Sequence, residues 1–404
     1  MMQKFIKLFV IYILLYFIFS TFLVHNGYVS QTMMAISKEI LRFWFVLWSI
    51  IYYRKYFFSY TKLMYIYYVI FAFVVLVWLG VTWIYQPHDI YMYSNMIIWL
   101  KYGLLFMGIM VSASWLWYIY KSEKFDISQT ISLILQIFIY SLAIWLIWQS
   151  VKFVRPHVFT NYLGYGPVGD FDFGNPPIYY RTWPGGIPRY NGLFAWPNNL
   201  WFILVLLWSV VLFAKNLGVK LRQKLLYVII CGIVMSRGLI VWVLVQTLIY
   251  IYMQKEYRRY MFAMGSVCIL WIVWLSIYKR WSTMDHLSLF FASFDKFLAN
   301  IWWYGLGSSG PAVHWHGTIL PENFYLQIMI DFGIVWFVWF LSWWSIYIYK
   351  QYKSVHSDYI YMLLSLGLIW LFVEGLFLHV WEDSMVNYIF MIIYGMSWGY
   401  SLRK

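Results

Sequence analysis

The sequence IWWYGLGSSGPAVHWHGTILPENFYLQIMIDFG, residues 301–333, is a polar interruption in an otherwise apolar chain. It follows one membrane-length apolar segment, leads directly into another, and contains glycines, two histidines and the pair Glu322–Asn323. Polar side chains are costly where water is excluded, so apolar segments of this length seldom carry so many. The stretch is therefore either a functional site or a structured loop between two long helices.

The composition of the whole chain is that of a membrane protein. Of its 404 residues, 63% are hydrophobic and 24% are aromatic, whereas only 11% are charged. The surface of a soluble protein of this length would need far more charge. The apolar segments are about 20 residues long and lack a period of two, which predicts helices and not the strands of a barrel. We expect an all-α polytopic membrane protein with a single integral membrane domain over residues 1–404.

The distribution of lysine and arginine predicts the orientation in the membrane. With both termini on the cytoplasmic side, every inside connection carries at least two positive charges. This bias accounts for much of the net charge of +14, and the rest could serve an anionic ligand; nucleic acid is not an expected partner. The predicted spans are roughly 5–24, 33–53, 63–85, 92–120, 127–150, 192–214, 221–235, 238–254, 260–278, 322–349, 359–379 and 386–402.

Two of the predicted outer connections are long, at 151–191 and 279–321. Loops of this length are uncommon and usually have a function. Within the second loop, residues 285–302 carry apolar side chains at helical spacing, which predicts an amphipathic helix. The sequence leaves open whether this helix lies on the outer membrane surface or folds over the helical bundle.

Two arginines stand at the outer ends of predicted spans. Arg189 precedes the sixth span, in RYNGLFAWPNN, which then carries Asn198 into apolar surroundings. An arginine at a span end often only extends its charged head to the membrane surface. Arg237, directly after Ser236, is flanked by apolar residues, and the cost of burying a guanidinium predicts that it faces a cavity or an anion. Because guanidinium binds phosphate through paired hydrogen bonds, Arg189 and Arg237 are candidates to bind a diphosphate together.

The stretch at 301–333 also supplies candidates for a general base. Glu322 lies near the start of the tenth span, where the helix dipole alone would also favour a carboxylate. His314 and His316 have the intrinsic pKa suited to proton transfer near neutral pH. Two histidines and one glutamate form too small a set for a patterned metal site. We therefore expect no metal and no cofactor.

Three patterns, in this order, resemble the O-antigen ligase and polysaccharide polymerase superfamily. They are R-x-x-G-x-F-x-x-P-N at Arg189–Asn198, S-R-G at Ser236–Gly238, and G-x-G…P-E-N-x-Y-L-Q-x-x-x-D-x-G at Gly305–Gly333. The resemblance covers residues 185–350 by motif, and the twelve spans and the long late outer loop agree with it. It implies a GT-C-like helical bundle in the cytoplasmic (inner) membrane.

The resemblance further implies a metal-independent inverting glycosyltransferase of cell-envelope biogenesis, acting in surface polysaccharide or lipopolysaccharide biosynthesis. Its donor would be a glycan on polyprenyl (undecaprenyl) diphosphate, and its acceptor a saccharide or glycolipid among the membrane lipids. Arg189 and Arg237 would hold the diphosphate. Many members carry His-Asn where this chain has Glu322–Asn323, so the base stays open between Glu322, His316 and His314. The residues expected to support the site are Asn198, Ser236, Asn323, Gln327 and Glu374.

Two other functions compete with this prediction. A flippase or other transporter of lipid-linked glycans would carry charged residues along a central path, whereas the unexplained polar residues cluster on the predicted outer side. The sequence also has no inverted pair of broken helices, which many transporters have. A non-catalytic membrane scaffold would leave Arg237 unexplained. The sequence therefore favours the transferase, with a polymerase slightly preferred to a ligase.

Overall fold

The computed structural model of the chain describes scattered helical positions between 23 and 84 and most of the chain from 127 to 376. The described ranges are 127–162, 180–181, 188–189, 197–214, 217–234, 236–254, 260–278, 280–302, 304–305, 308–309, 321, 323–355 and 359–376. The spans predicted at 5–24, 92–120 and 386–402 lie wholly or almost wholly outside the described residues.

The described residues are mostly helical, as the all-α prediction requires. The helices are α1 (Ile127–Val154), α2 (Pro156–Tyr162), α3 (Pro197–Phe213), α4 (Leu221–Val234), α5 (Arg237–Met253), α6 (Met261–Tyr278), α7 (Arg280–Ala299), α8 (Phe324–Phe332), α9 (Ile334–Val355) and α10 (Tyr359–Glu374). Two short strands, β1 (Tyr180–Arg181) and β2 (Pro188–Arg189), pair antiparallel.

One described helical segment, Ile131–Val154, is long and apolar enough to cross a membrane by itself, with a mean hydropathy of 2.1. Several other apolar helices in the described part of the chain are shorter than a bilayer-spanning helix, for example Leu200–Phe213. The count of twelve spans is therefore not confirmed and stays a prediction.

The contacts divide the chain into two compact units. The first unit comprises Met1–Phe43 and Asp126–Lys279, and the second comprises Trp44–Phe125 and Arg280–Lys404. The first unit thus contains both strands and helices α1 to α6, whereas the second contains α7 to α10.

Helix α3 forms the core of the first unit. Every residue from Leu200 to Val211 is buried, so the helix is covered on all sides. Its almost entirely apolar circumference agrees with this position among other helices. It packs against α4 and α5, while α1 packs against α2 and α4, and α5 packs against α6.

Polar pairs join α3 to its two neighbours inside this apolar core. The Ser209 hydroxyl donates to Gln246 Oε1 at 2.5 Å, and Gln246 Nε2 donates to the Val205 carbonyl at 2.9 Å. The Tyr227 hydroxyl of α4 donates to the Leu204 carbonyl at 2.6 Å. Buried polar groups that are paired in this way avoid the cost of desolvation, and they fix the register of the helices.

The second unit is built around a break between α8 and α9. Gly333 separates the two helices with a φ of +85°, a conformation that side chains with a Cβ rarely adopt. The carbonyl of Trp302 lies where a Cβ of residue 333 would be. The span predicted over 322–349 is therefore not one uninterrupted helix, since the break at Gly333 depends on a close approach that only glycine permits.

The predicted outer loops are also more helical than expected. In the loop at 151–191, α1 extends to Val154 and is followed by α2. The amphipathic helix predicted at 285–302 is α7, which starts earlier, at Arg280, and ends at Ala299. Helix α7 packs against α8, which packs against α9, and α9 packs against α10.

Candidate functional site

The N-terminal end of α5 combines an arginine with an uncapped helix. Ser236 occupies the N-cap position in an extended conformation, but its side chain makes no capping hydrogen bond. Arg237 is the first residue of the helix, at the end that carries the positive pole of the dipole. A helix N-terminus without a capping side chain favours a bound anion.

Helices α3 and α5 run parallel and therefore start at the same end of the first unit. Gly238 lies against Trp201 near the start of both helices, whereas Thr247 accepts a hydrogen bond of 3.0 Å from Trp208 Nε1 further along. Asn198 belongs to the first turn of α3, which begins at Pro197. The parallel packing thus brings the main chain of Asn198 to the same end as that of Ser236 and Arg237.

Gly238 allows this close contact between the two helices. A Cβ at this position would lie 2.6 Å from Cη2 of Trp201, which is buried. The glycine of the S-R-G pattern therefore sets the distance between α3 and the helix that begins with Arg237. Any larger residue would have to displace the indole ring or the start of α5.

Arg189 lies in the short strand β2. Its main chain pairs with Tyr180, and Pro188 pairs with Arg181. This ladder holds Arg189 in a defined backbone position eight residues before α3 begins at Pro197. It also places a second arginine, Arg181, on the neighbouring strand, and no sequence pattern had singled out this residue.

In contrast, each main-chain N–H group in the first turn of α8 has a hydrogen-bond acceptor. Asn323 is its N-cap, and Asn323 Oδ1 accepts hydrogen bonds from the main-chain nitrogens of Tyr325 and Leu326 at 2.9 and 3.0 Å. The nitrogen of Phe324 donates to the Gly375 carbonyl at 2.9 Å, and that of Gln327 donates to the Asn323 carbonyl at 3.0 Å. This helix end has no free donors for an anion, which distinguishes it from the start of α5.

The same end of α8 brings together three of the predicted supporting residues. Asn323 and Gln327 are one turn apart and both are buried. Glu374 is also buried, and it directly precedes Gly375, the residue whose carbonyl accepts from Phe324. The Oε1 atom of Gln327 has no hydrogen-bond partner in the described part of the chain. Such a buried acceptor is uncommon and costs free energy.

A second polar group lies at the other end of α8, and sequence reasoning missed it. Asp331 is 1% exposed and accepts a hydrogen bond of 2.9 Å from the Ser309 hydroxyl. Lys296 of α7 interacts electrostatically with this carboxylate and donates a hydrogen bond of 2.7 Å to the Ser308 carbonyl. Asp331 is the aspartate of the pattern at Gly305–Gly333, so the sequence did contain a feature that points to this residue. Neither its burial nor the partner 22 residues away could be inferred from it.

Tyr304 completes this junction between α7 and α8. Its hydroxyl donates to the Lys296 carbonyl at 2.7 Å, and its main-chain nitrogen donates to the Ile330 carbonyl at 2.9 Å. The ammonium of Lys296 lies 5.3 Å from the centre of the Tyr304 ring. Burial lowers the pKa of Lys296 below its ordinary value, and the Asp331 carboxylate partly opposes that shift.

The three candidates for the general base lie outside the described residues: Glu322, His316 and His314. The chain is fixed on both sides of them, by Ser309 before and by Asn323 after. Comparison of this chain with protein-family models, with curated proteins and with solved structures finds no match.

Proposed function

We propose that the chain is a membrane glycosyltransferase that moves a glycan from a polyprenyl diphosphate carrier to an acceptor hydroxyl on the outer face of the cytoplasmic membrane. The observation that carries this proposal is the uncapped start of α5, where Arg237 is the first residue. An anion there would interact with the guanidinium, with main-chain N–H groups and with the helix dipole. The diphosphate of a lipid-linked glycan is such an anion.

Two further features support the proposal. Asn198, in the first turn of α3, belongs to the same end of the first unit as the main chain of Arg237. The three sequence patterns, in their order, resemble the O-antigen ligase and polysaccharide polymerase superfamily, in which the third pattern belongs to the acceptor side. The same resemblance assigns Arg189 to the diphosphate as well.

The reaction balances without a cofactor. The oxygen of the acceptor hydroxyl attacks the anomeric carbon, the bond from that carbon to the diphosphate oxygen breaks, and polyprenyl diphosphate leaves. Negative charge grows on the leaving group, so Arg189 and Arg237 would stabilise the transition state more than the ground state. In-line attack inverts the anomeric configuration. Because the arginines neutralise the diphosphate, no metal ion is required.

The hydroxyl proton passes to a base close to the second unit's α8. Glu322 directly precedes Asn323, whose capping hydrogen bonds fix the following turn. The bond from Phe324 to the Gly375 carbonyl ties the same point to the end of α10. A base carried next to such a fixed turn would keep its position during proton transfer. His316 and His314 are the alternative bases; Gln327 in α8 and Glu374 at the end of α10, both buried, are the proposed supporting residues.

The test is a transfer assay with the purified protein in lipid nanodiscs. A polyprenyl-diphosphate oligosaccharide is supplied with and without candidate saccharide or glycolipid acceptors, and new glycosidic products are measured by mass. We expect transfer or lengthening of the glycan, unchanged in excess chelator. Movement of the lipid-linked glycan across a bilayer without a new glycosidic bond would instead identify a transporter. Activity lost in chelator and restored by a divalent ion would refute the metal-free mechanism.

A further inference from the structure

Helix α7 has three different faces. One face packs on the other helices of the second unit, and its residues Ser293 and Phe297 are buried. A second face is apolar yet exposed; we call it the apolar stripe, and it consists of Met284, Leu287, Phe291, Phe294 and Leu298. A third face is exposed and polar or small; we call it the polar flank, and it consists of Asp285, Ser288, Ala292, Asp295 and Ala299.

The spacing of the apolar stripe shows that its members lie along one line. They are separated alternately by three and four residues, so one of them occurs in about every helical turn, on the same side. The exposed fractions are 58% for Phe291 and 55% for Leu298. Single exposed apolar residues are ordinary on a protein surface, but a continuous row of large ones marks a surface that something covers.

The apolar stripe does not end with the helix. The residues that follow α7, Ile301 and Trp302, are exposed as well. The Ile301 carbonyl accepts a hydrogen bond of 3.0 Å from the nitrogen of Ile334, the first residue of α9. Exposed apolar residues then continue along α9 at Val335 and Val338. The exposed apolar surface therefore continues from α7 through Ile301 and Trp302 onto α9. Helix α9 forms most of a predicted membrane span.

We propose that the apolar stripe of α7 lies in the outer boundary of the lipid bilayer, with the helix along the membrane surface and its polar flank in water. The occupant of the surface is lipid, because the surface is continuous with that of α9. Trp302, at the corner, is the residue type enriched at such boundaries. The inference rests on the membrane assignment in the proposed function, and it is independent of the transferase chemistry.

The charges on the polar flank indicate whether α7 binds the bilayer through electrostatic attraction or through apolar contacts. Asp285 and Asp295 are both carboxylates, which anionic headgroups would repel. The stripe contributes only apolar side chains, so the attachment is hydrophobic and does not depend on anionic lipid. Because Tyr304 and Lys296 tie α7 to its junction with α8, this attachment would also hold the junction at a fixed depth.

Site-directed spin labelling tests the orientation of α7. In a background with Cys231 and Cys268 replaced by serine, single cysteines carry a nitroxide at one position in each variant. The stripe positions are Leu287, Phe291 and Leu298, the flank positions are Ser288, Ala292 and Asp295, and Val338 on α9 is the lipid reference. Collision rates with oxygen, which concentrates in lipid, and with a water-soluble nickel chelate are measured in nanodiscs with and without anionic lipid.

We expect stripe labels to resemble Val338, with oxygen collisions dominant, and flank labels to collide mainly with the chelate, in both kinds of bilayer. If Val338 contacts lipid but the stripe labels contact water or are shielded from both reagents, this inference is wrong and the membrane assignment stands. If the Val338 label also contacts water, both the inference about α7 and the membrane assignment are wrong. Lipid contact of the stripe only in anionic bilayers would refute its hydrophobic attachment. The three stripe positions are independent, so one variant that fails to fold does not remove the test.

Discussion

The Ser309 hydroxyl donates a hydrogen bond of 2.9 Å to the carboxylate of Asp331, across 22 residues of sequence. Both residues are buried, and the bond joins the segment after α7 to the end of α8. A carboxylate removed from water depends on such donors, because its charge is costly to bury without them. The bond therefore stabilises the start of the stretch that carries the candidate bases.

Removal of the Ser309 hydroxyl should destabilise the second unit. Ser309→Ala leaves the Asp331 carboxylate with one donor fewer, and we expect a loss of about 1–3 kcal/mol in the free energy of unfolding. Denaturant titration in detergent micelles measures the change. Ser288→Ala is the matched control, because Ser288 is exposed and its hydroxyl bonds only within its own helix. Equal effects of the two substitutions would contradict the role of the Ser309–Asp331 bond.

Because of Lys296, the free energy of unfolding should increase with pH in alkaline solution. Burial lowers the pKa of Lys296 below 10.5 in the folded state. Between the lowered pKa and 10.5 the unfolded chain binds more protons than the folded chain, so the free energy of unfolding increases with pH in this window. Below the lowered pKa both states are protonated and the contribution is constant.

The measurement compares stability against pH for the wild type, Lys296→Arg and Lys296→Met. Neither substituent titrates in the window, so both variants should lack the part of the rise that Lys296 contributes. Curves that stay parallel to the wild type throughout would show that Lys296 titrates with an ordinary pKa.

Gly333→Ala should be severely destabilising. The φ of +85° is unfavourable for alanine, and the added Cβ would coincide with the Trp302 carbonyl. Backbone strain alone costs about 1–3 kcal/mol, and the clash adds to it. Gly265→Ala in α6 is the matched control, since open space surrounds that position. Alanine favours a helix over glycine by about 1 kcal/mol, so this control should fold at least as well as the wild type. A folded yield of Gly333→Ala equal to that of the control would refute the constraint.

Arg237→Ala should abolish glycan transfer while the protein still folds. Loss of a charge that stabilises the leaving diphosphate should lower kcat by about 100-fold or more. Arg237→Lys keeps a positive charge without the planar fork and should retain partial activity. Arg222→Ala, at the exposed start of α4, is the control and should keep normal turnover. Normal product amounts and lengths from Arg237→Ala would exclude the diphosphate contact.

The general base can be identified by comparing Glu322→Gln, His316→Ala and His314→Ala. The variant that lacks the base should lose kcat by about 100-fold or more, because general-base catalysis contributes a factor of that order. It should also lose the acidic limb of the pH–rate profile, whereas the other two variants keep it. If all three retain wild-type turnover, the stretch at 301–333 does not carry the base.

The sequence determined the helical character of the chain and several local features of the site. Long continuous apolar segments predicted that the chain is helical, and the apolar spacing at 285–302 predicted α7. The span predicted from residue 322 placed a helix start within two residues of the observed one, where Asn323 is the N-cap of α8. These features depend on residues within one or two turns of each other, so local pattern is enough to predict them.

Only the tertiary structure decided which of these elements meet. The parallel packing of α3 and α5 depends on Gly238 fitting against Trp201, and the break at Gly333 depends on the carbonyl of Trp302. Asp331 was visible in the sequence as one letter of a pattern, but its burial depends on Ser309 and on α7. Such contacts join residues far apart in the chain, and periodicity within a segment carries no information about its distant partner.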